Sequence, residues 1–524
     1  MRNAILSLLL LVICTTAQAQ QRPKIDENIL QRVSAAQFYI SNFYVDSLSA
    51  DKVADNAIEG MLKQLDPHST YIRAKDVERS NENLNGSFEG IGVQFNMVDD
   101  TLVVIQPVSG GPSEKRGIIA GDRIVQVNDT AIAGVKMSRE EIMRRLRGPK
   151  DTKVKLGIVR QGVKGINNFI VTRDKIPVYT LDAHFLIDPT TAYIRISSFG
   201  ATTHEEFMKA FNEMREKGAR DLVLDLQGNG GGYLQAAVQL ANEFLSASDL
   251  IVYTEGRTVR RQEYRANGEG SMQKGRIVVL VDSYTASAAE IVSGALQDHD
   301  RAIIVGRRTF GKGLVQRPFE LPDHSVIRLT TAHYFTPTGR CIQKPYKMGE
   351  RKEYDDDITT RLNSGELTNV DSIHFADSLR YETTRKHRIV YGGGGIMPDV
   401  YVPLDTTQYT FLHRQMSAKG IIINATLRYI DRNRKALRKQ YPDFESYNAN
   451  FSVPQSLIDQ TLEEAAKVKI QYTDSLLQAT LPYLRSQLKA LIARDLWEMN
   501  EYFQIINAEN NIFNAGLKAL KEEE

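Results

Sequence analysis

Residues 277–316 read IVVLVDSYTASAAEIVSGALQDHDRAIIVGRRTFGKGLVQ, and this stretch decides the fold of the chain around it. Its first five residues form an unbroken, mostly β-branched run, which predicts a strand buried on both faces among parallel neighbours. A turn follows, and the small and apolar residues after Ser287 favour a helix packed on the sheet. A second apolar run then leads to Lys312, which has a glycine on each side. The stretch therefore predicts an α/β core.

Ser287 lies at the predicted turn between strand and helix. Its hydroxyl would be exposed there, beside unpaired N–H groups of the first helical turn that can stabilise an oxyanion. A serine hydroxyl is a poor nucleophile until a base takes its proton. Lys312 is the candidate base, because burial can lower the pKa of a lysine, normally about 10.4, by several units. His299 falls in a polar loop after the helix and is expected to be solvated.

Gln316 follows Lys312 by four residues, so the two share a face in either a helix or a strand. In a fully extended strand their Cα atoms would be about 13 Å apart, and Gln316 could orient the amine only where the chain bends. A non-catalytic alternative stays open, in which Ser287 caps a helix and Lys312 is a solvated surface residue.

The same residues resemble the catalytic block of the C-terminal processing peptidases, also called tail-specific proteases. Residues 285–290 (TASAAE) match the nucleophile motif of that family, Gly311-Lys312-Gly313 its lysine motif, and Gln316 its third position. The resemblance implies a serine endopeptidase with a crotonase/ClpP-like core. It also implies a Ser–Lys dyad that forms an acyl-enzyme, with Gln316 orienting the lysine and no cofactor or metal.

A glycine-rich loop, QGNGGG at residues 227–232, follows a second predicted buried strand. Phosphate binding is the weaker interpretation, because no P-loop lysine and serine or threonine follow the glycines. Glycines also let backbone N–H groups approach a substrate carbonyl. The family carries a similar loop, and the resemblance implies an oxyanion hole made by an amide of Gly231 or Gly232 with that of Ala288. Gln227 departs from the family, which usually has arginine there.

Short strands and glycine turns, with one helix at residues 138–146, occupy the region from Gly86 to Thr172. This order of motifs resembles the PDZ domain that is inserted in these proteases. A PDZ domain holds a C-terminal carboxylate with free backbone N–H groups and pairs the peptide with a strand edge. The expected binding segment is Gly90, Ile91, Gly92 and Val93. A small β-domain with an ordinary glycine turn is the alternative.

The remaining segments give expectations about location and assembly. Residues 1–19 predict a signal peptide, and hence an exported, periplasmic or envelope-associated bacterial protein. Apolar residues at helical spacing predict helices before Asp66 and after Asp405, and a homodimer through these terminal helices is plausible. The polar residues 344–391 predict a mostly solvated insertion. His68 has no second ligand at a metal-like spacing, which favours capping or packing.

The 524 residues carry a net charge of +2, which gives no reason to expect a nucleic-acid partner, and stable membrane insertion is not expected. The expected partners are proteins or peptides with accessible C-termini. A non-catalytic peptide-binding scaffold and an acyl-CoA enzyme of the crotonase type are the competing functions. The sequence predicts seven regions: a signal peptide (1–19), N-terminal helices (20–84), a PDZ domain (85–174), a protease core (175–343), an insertion (344–391), the end of the core (392–404) and a helical C-terminal domain (405–524).

Overall fold

The computed structural model describes residues 26–522, so the predicted signal peptide lies outside the described residues. The first region contains helices, as the apolar spacing predicts, and one short strand: α1 (Glu27–Phe43), α2 (Ala50–Lys63), β1 (Thr70–Ile72) and α3 (Ala74–Asn85). Asp26 and Ser49 cap α1 and α2 by accepting backbone N–H groups of the first turn. The chain between α2 and β1 contains Asp66-Pro67, which disfavours continuation of a helix.

The second region is a small β-domain with its own apolar core. The elements are β2 (Ser87–Gly90), β3 (Val93–Val98), β4 (Thr101–Pro107), α4 (Pro112–Lys115), β5 (Arg123–Val127), β6 (Thr130–Ala131), α5 (Arg139–Leu146), β7 (Lys153–Val159), β8 (Asn167–Thr172) and β9 (Asp174–Pro177). The sheet has the order β3-β4-β5-β7-β8, with β6 on β5, so β3 lies at an edge. A two-stranded ribbon of β2 and β9 joins this domain to the rest of the chain.

The third region supplies most strands of a six-stranded sheet and of a five-stranded sheet, and its elements follow in chain order. They are β10 (Leu181–Asp188), β11 (Thr191–Ile196), α6 (Thr203–Glu216), β12 (Asp221–Asp225), α7 (Leu234–Asn242), β13 (Leu250–Glu255), β14 (Gln262–Arg265), β15 (Ile277–Val281), α8 (Ala288–Asp298), β16 (Ile303–Gly306), β17 (Leu314–Glu320) and β18 (Val326–Phe335).

The six-stranded sheet has the order β10-β11-β12-β15-β16-β21, where β21 is Val400–Tyr401. Its strands run parallel from β11 onward, and β10 is an antiparallel edge. Both strands predicted to be buried on two faces, β12 and β15, are fully buried. The five-stranded antiparallel sheet pairs β18 with β1, β13 and β17, so the strand after Lys312 lies two positions from a strand of the N-terminal region.

The C-terminal region is helical, as predicted, and covers one face of the six-stranded sheet. The apolar residues at helical spacing in this region form a core face, because Leu484, Leu488 and Leu496 are buried in one cluster with Val278 and Leu280 of β15. The other face packs against α6, α7 and α8. The helices are α11 (Phe411–Ala418), α12 (Ile421–Gln440), α13 (Phe444–Asn450), α14 (Gln455–Lys467), α15 (Asp474–Leu496), α16 (Met499–Ile506) and α17 (Asn511–Glu522). Among the helices of residues 26–522, none has the length and apolar character needed to cross a bilayer.

The insertion at residues 344–391 is mostly exposed, as expected, but it is folded and part of it packs against the core. The segment forms α9 (Arg351–Asp355), α10 (Asp357–Asn363) and a hairpin of β19 (Arg380–Glu382) and β20 (Ile389–Tyr391). Several of its side chains are buried against the core: Tyr354, Arg361, Glu366, Leu367, Thr383 and Val390. Its polar composition is compatible with burial because the charges are paired, for example Arg361 with Asp357 at 3.0 Å.

Candidate active site

Ser287 lies between β15 and α8, at the turn where the sequence predicts it. Its backbone has φ 57° and ψ −116°, a conformation that costs a non-glycine residue strain and marks functional turns. The Ser287 N–H donates to Glu290 Oε2 at 2.8 Å, and the Ser287 carbonyl accepts from the N–H groups of Glu290 and Ile291. The strain is therefore held in place by the first turn of α8.

Glu290 joins the serine turn to the lysine loop. Its side chain is fully buried, and Oε2 also accepts the Lys312 N–H at 2.9 Å. Oε1 accepts the Gly311 N–H at 2.8 Å and the Thr309 hydroxyl at 2.5 Å. Burial raises the pKa of Glu290, and the hydrogen bonds from its four donors oppose this without cancelling it. The sequence carries one signal of this role, because Glu290 is a charged residue among small apolar helix residues, a pattern typical of a buried polar contact.

The Lys312 amine is half-buried and donates to Gln316 Oε1 at 3.2 Å. The Gln316 amide in turn donates through Nε2 to the backbone carbonyl of His68 at 2.5 Å. Burial lowers the pKa of Lys312, the positive charge of Arg328 lowers it further, and the carboxylates of Asp66 and Glu290 oppose this. More of the amine is therefore uncharged near neutral pH than in an exposed lysine.

The contact between Lys312 and Gln316 depends on the bend that an extended strand would not supply. Lys312 lies in the loop before β17, and the pairing of β17 with β18 shifts register between Val315 and Gln316. Such a bulge increases the local twist and redirects side chains. The amine and the amide therefore meet although four residues separate them.

Ser287 and Lys312 line one cavity of about 490 Å³. Helix α3 borders it through Val77, Asn81 and Leu84, so the N-terminal region forms one of its walls. The remaining lining is mainly apolar and includes Leu234, Ile291, Leu314 and Val326. Within residues 26–522, no hydrogen bond joins the Ser287 hydroxyl to the Lys312 amine. Such bonds often form only in the substrate complex.

The glycine loop packs directly against the serine turn. A Cβ on Gly231 would lie 2.7 Å from the Ala286 oxygen and from Ser287 Cβ, and its φ of 94° also requires glycine. The Gly231 N–H already donates to Asn229 Oδ1 at 2.8 Å. The N–H groups of Gly232 and Ala288 donate to no acceptor among the described residues. Of the two glycine amides offered by the sequence, that of Gly232 is the one left free.

Two histidines receive their roles from the structure. His299 is buried at the end of α8, where its ring contacts Thr384 Oγ1 at 3.1 Å and the Leu250 carbonyl at 2.8 Å. The expectation that His299 is solvated is wrong, because the chain that follows β19 covers the end of the helix. His68 packs edge-on against Tyr354, in agreement with the packing role predicted for it. In the described part of the chain, no group of three His, Cys, Asp or Glu side chains is placed to hold a metal ion.

The predicted peptide-binding segment connects β2 to the edge strand β3. Gly90 ends β2, and the Ile91 carbonyl accepts from the N–H and hydroxyl of Ser113 at 3.1 and 2.6 Å. Gly92 has φ 69° and Val93 begins β3. The Arg139 guanidinium of α5 lies 5.4 Å from the centre of the Phe95 ring on β3. Helix α5 therefore flanks the free edge of β3.

Four regions of the chain match models of protein families. Residues 190–349 match the model of peptidase family S41, residues 90–165 that of the PDZ domain, and residues 13–76 that of the activating protease CtpB N-terminal domain. Residues 412–498 match a family of unknown function.

Curated relatives match over most of their length. The carboxy-terminal processing protease CtpA of Bacillus subtilis (strain 168) is 35% identical over 326 residues, which are 62% of this chain and 69% of CtpA. The carboxyl-terminal-processing protease of Synechocystis sp. is 38% identical over 55% of this chain and 68% of that protein. The solved photosystem II D1 C-terminal processing protease is 26% identical over 72% of this chain and 94% of its own, with a TM-score of 0.36.

The fold and these matches define a serine peptidase with a PDZ domain. The chain belongs to the family of carboxy-terminal processing proteases. The resemblance, the fold class and the enzyme class predicted from the sequence are therefore confirmed, and the scaffold and acyl-CoA alternatives receive no support.

Glu290→Gln is expected to lower kcat/KM more than about tenfold and to destabilise the fold by about 2 kcal/mol. Either orientation of the new amide would turn its NH2 group toward two donors that the carboxylate now accepts. Peptide hydrolysis and thermal unfolding of the purified protein measure both effects. The control is Glu243→Gln, a buried glutamate bound to His204 and Ser271 away from the cavity, which should lower stability and leave kcat unchanged. Wild-type kcat/KM in Glu290→Gln would contradict the linking role.

Proposed function

We propose that this enzyme cleaves exported bacterial proteins near their C-termini, with Ser287 as nucleophile and Lys312 as general base. The observation that carries the proposal is that both side chains line one cavity while Glu290 binds the backbone of each. A lowered Lys312 pKa supports the role of base, since only an uncharged amine can accept a proton.

The reaction divides into acylation and deacylation. The Ser287 oxygen attacks the carbonyl carbon of the scissile bond as its proton moves to the Lys312 amine. The ammonium then gives this proton to the leaving amine, the C–N bond breaks, and an ester to Ser287 remains. Water attacks the ester with Lys312 again as base, which releases the new carboxyl terminus and restores the serine hydroxyl.

The N–H groups of Gly232 and Ala288 would hold the oxyanion that forms in both halves of the reaction. Both lack an acceptor among the described residues, and Ala288 is the first residue of α8, where the helix dipole favours negative charge. Gly231 contributes close packing against Ser287 and no oxyanion donor, because its N–H already donates to Asn229 Oδ1. Gln316 would orient the amine of Lys312 through the bond at 3.2 Å.

Ser287→Ala and Lys312→Ala are each expected to lower kcat by about 10²–10⁴-fold or more, measured with an unfolded protein substrate that has an apolar C-terminus. Lys312→Arg should be equally inactive, since a guanidinium keeps the charge but cannot lose a proton at working pH. Fluorescence of a quenched peptide gives the rates, and the exposed Lys347→Ala serves as the matched control. Cleavage at the wild-type rate by any of the three site variants would refute the assignment.

The pH dependence tests the base separately. The rate should rise with pH through the lowered pKa of Lys312, because the neutral amine is the active form. Arg328→Met removes a cation that lowers this pKa and should move the rising limb to higher pH, while Asp66, Glu290 and the neutral His68 ring still face the amine. Arg317→Met, an exposed change on β17, is the control. If the rate of Arg328→Met rises at the same pH as that of the wild type, Lys312 is not the group whose titration controls the rate.

The PDZ domain would hold the substrate's C-terminus. The free edge of β3 can pair with an extended peptide, and the N–H groups between Gly90 and Val93 would receive the carboxylate.

A peptide with a C-terminal carboxamide should therefore show a KM about tenfold higher than the free acid, with little change in kcat. Gly92→Val should remove this difference, since its Cβ would lie 2.9 Å from Ile176 Cδ1 at a φ of 69°. Equal KM values for acid and amide in the wild type would contradict the role.

The N-terminal helices would form a homodimer. Helix α1 buries none of its residues, and its apolar side chains are exposed: Ile29, Leu30, Val33, Phe38, Tyr39, Ile40 and Phe43. The apolar residues of the C-terminal helices are buried inside the chain, whereas α1 has a free apolar face among the described residues. Val33→Glu with Phe43→Glu should give a monomer in sedimentation equilibrium, and Met348→Glu, exposed elsewhere, should not. A wild-type monomer would end this proposal.

Export would follow from the predicted signal peptide at residues 1–19, and the relatives named above are bacterial. N-terminal sequencing of protein recovered from the cell envelope should begin at Gln20. A chain that retains residues 1–19 and stays in the cytoplasm would contradict export.

A further inference from the structure

Tyr354 of the insertion contacts His68, whose backbone binds Gln316 in the active site. Tyr354 lies in α9 and is 4% exposed, and its hydroxyl is 2.8 Å from Nε2 of the His68 ring. The Lys344 amine lies 3.9 Å from the centre of the Tyr354 ring and 3.9 Å from that of Phe310, which packs edge-on against Tyr354. Lys344 also donates to the Tyr354 carbonyl and pairs with Asp357, both within 3.1 Å.

The backbone of His68 decides which way the Gln316 amide faces. A carbonyl oxygen only accepts, so the His68 carbonyl requires the NH2 end of Gln316 at 2.5 Å. The oxygen end of the amide is thereby turned toward the Lys312 amine at 3.2 Å. An acceptor in that place takes one N–H of the lysine and restricts the direction of its lone pair. The position of His68 thus determines the orientation of the proposed base.

The His68 ring is well suited to be held by a hydroxyl. Burial, followed by the charge of Lys312, lowers the pKa of His68 to about 3, so the ring is neutral and can accept a hydrogen bond. Burial raises the pKa of Tyr354, which keeps its proton. Asp66 favours the charged His68 ring, while Lys344 and Arg351 oppose it. A neutral imidazole donates at one ring nitrogen and accepts at the other, so the Tyr354 hydroxyl donates to Nε2 in the tautomer with its proton on Nδ1.

The same insertion and the residues before it hold both neighbours of Lys312. The Gly313 N–H donates to Gln343 Oε1 at 2.9 Å, and Gln343 Nε2 lies 3.4 Å from the Tyr354 hydroxyl. The Gly311 carbonyl accepts the Lys344 N–H at 2.9 Å. Contacts from residues 343, 344 and 354 therefore converge on the loop that carries the amine.

We propose that Tyr354 is a positioning residue for the Lys312 base, and that the insertion at residues 344–391 completes the active site through the path Tyr354, His68, Gln316 and Lys312. This inference rests on the proposed role of Lys312. It assigns the insertion a part in proton transfer although Tyr354 touches neither substrate nor the reacting atoms.

Tyr354→Phe keeps the ring and removes only the hydroxyl. It is expected to lower kcat about tenfold, less than the roughly 100-fold that a 1 Å misplacement can cost, and to change KM less than about twofold. The matched control is Tyr346→Phe, which removes a hydroxyl from the same aromatic cluster, where its ring centre lies 6.4 Å from that of Tyr354. Rates are divided by the fraction of protein folded in circular dichroism, so that incomplete folding does not enter kcat.

A double-mutant cycle with Gln316→Ala tests the path. If Tyr354 acts through Gln316, the double variant should be no slower than Gln316→Ala alone, because the amide that the tyrosine orients is already absent. Losses that multiply overturn the inference, as does wild-type kcat or a rise in KM alone in Tyr354→Phe. Wild-type activity in Lys312→Ala would instead refute the proposed base. Inactive Lys312→Ala with wild-type kcat in Tyr354→Phe would refute only the positioning role.

Discussion

The structure of the site depends on one buried carboxylate. Glu290 accepts three backbone N–H groups and one hydroxyl, and these donors come from the serine turn on one side and the lysine loop on the other. A fully buried carboxylate without such partners would cost several kcal/mol, so the two segments must both be in place for the carboxylate to be tolerated. The strained backbone of Ser287 and the position of Lys312 are consequences of the same contact.

Packing on both faces of the six-stranded sheet keeps this contact fixed. The helix α8, which carries Glu290, is buried along its length, and the C-terminal helices cover the opposite face of β15. The glycine loop also packs closely against the serine turn, because the position of Gly231 leaves no room for a Cβ beside Ser287. The glycine loop, the serine turn and the helix therefore form one rigid wall of the cavity.

The other wall is built from distant parts of the chain. Gln316 on β17 binds the carbonyl of His68 from the N-terminal region, and His68 contacts Tyr354 of the insertion. The β18 strand brings these segments together, since it pairs with both β1 and β17. One side of the cavity is thus formed by the glycine loop and the serine turn, whereas the other is lined by the N-terminal region with β17 and β18, and the insertion contacts this side through His68.

The sequence by itself determined the buried strands, the turn at Ser287, the glycine-flanked lysine and the helical ends, because each follows from local periodicity or a contiguous motif. It did not predict which four donors bind Glu290, that His299 is buried, or that residues 344–391 pack against the core. These features depend on contacts between residues tens to hundreds of positions apart. Only the tertiary structure decided which amide stays free, which way Gln316 faces and what holds His68, since a polar group is satisfied by its neighbours in space, not in sequence.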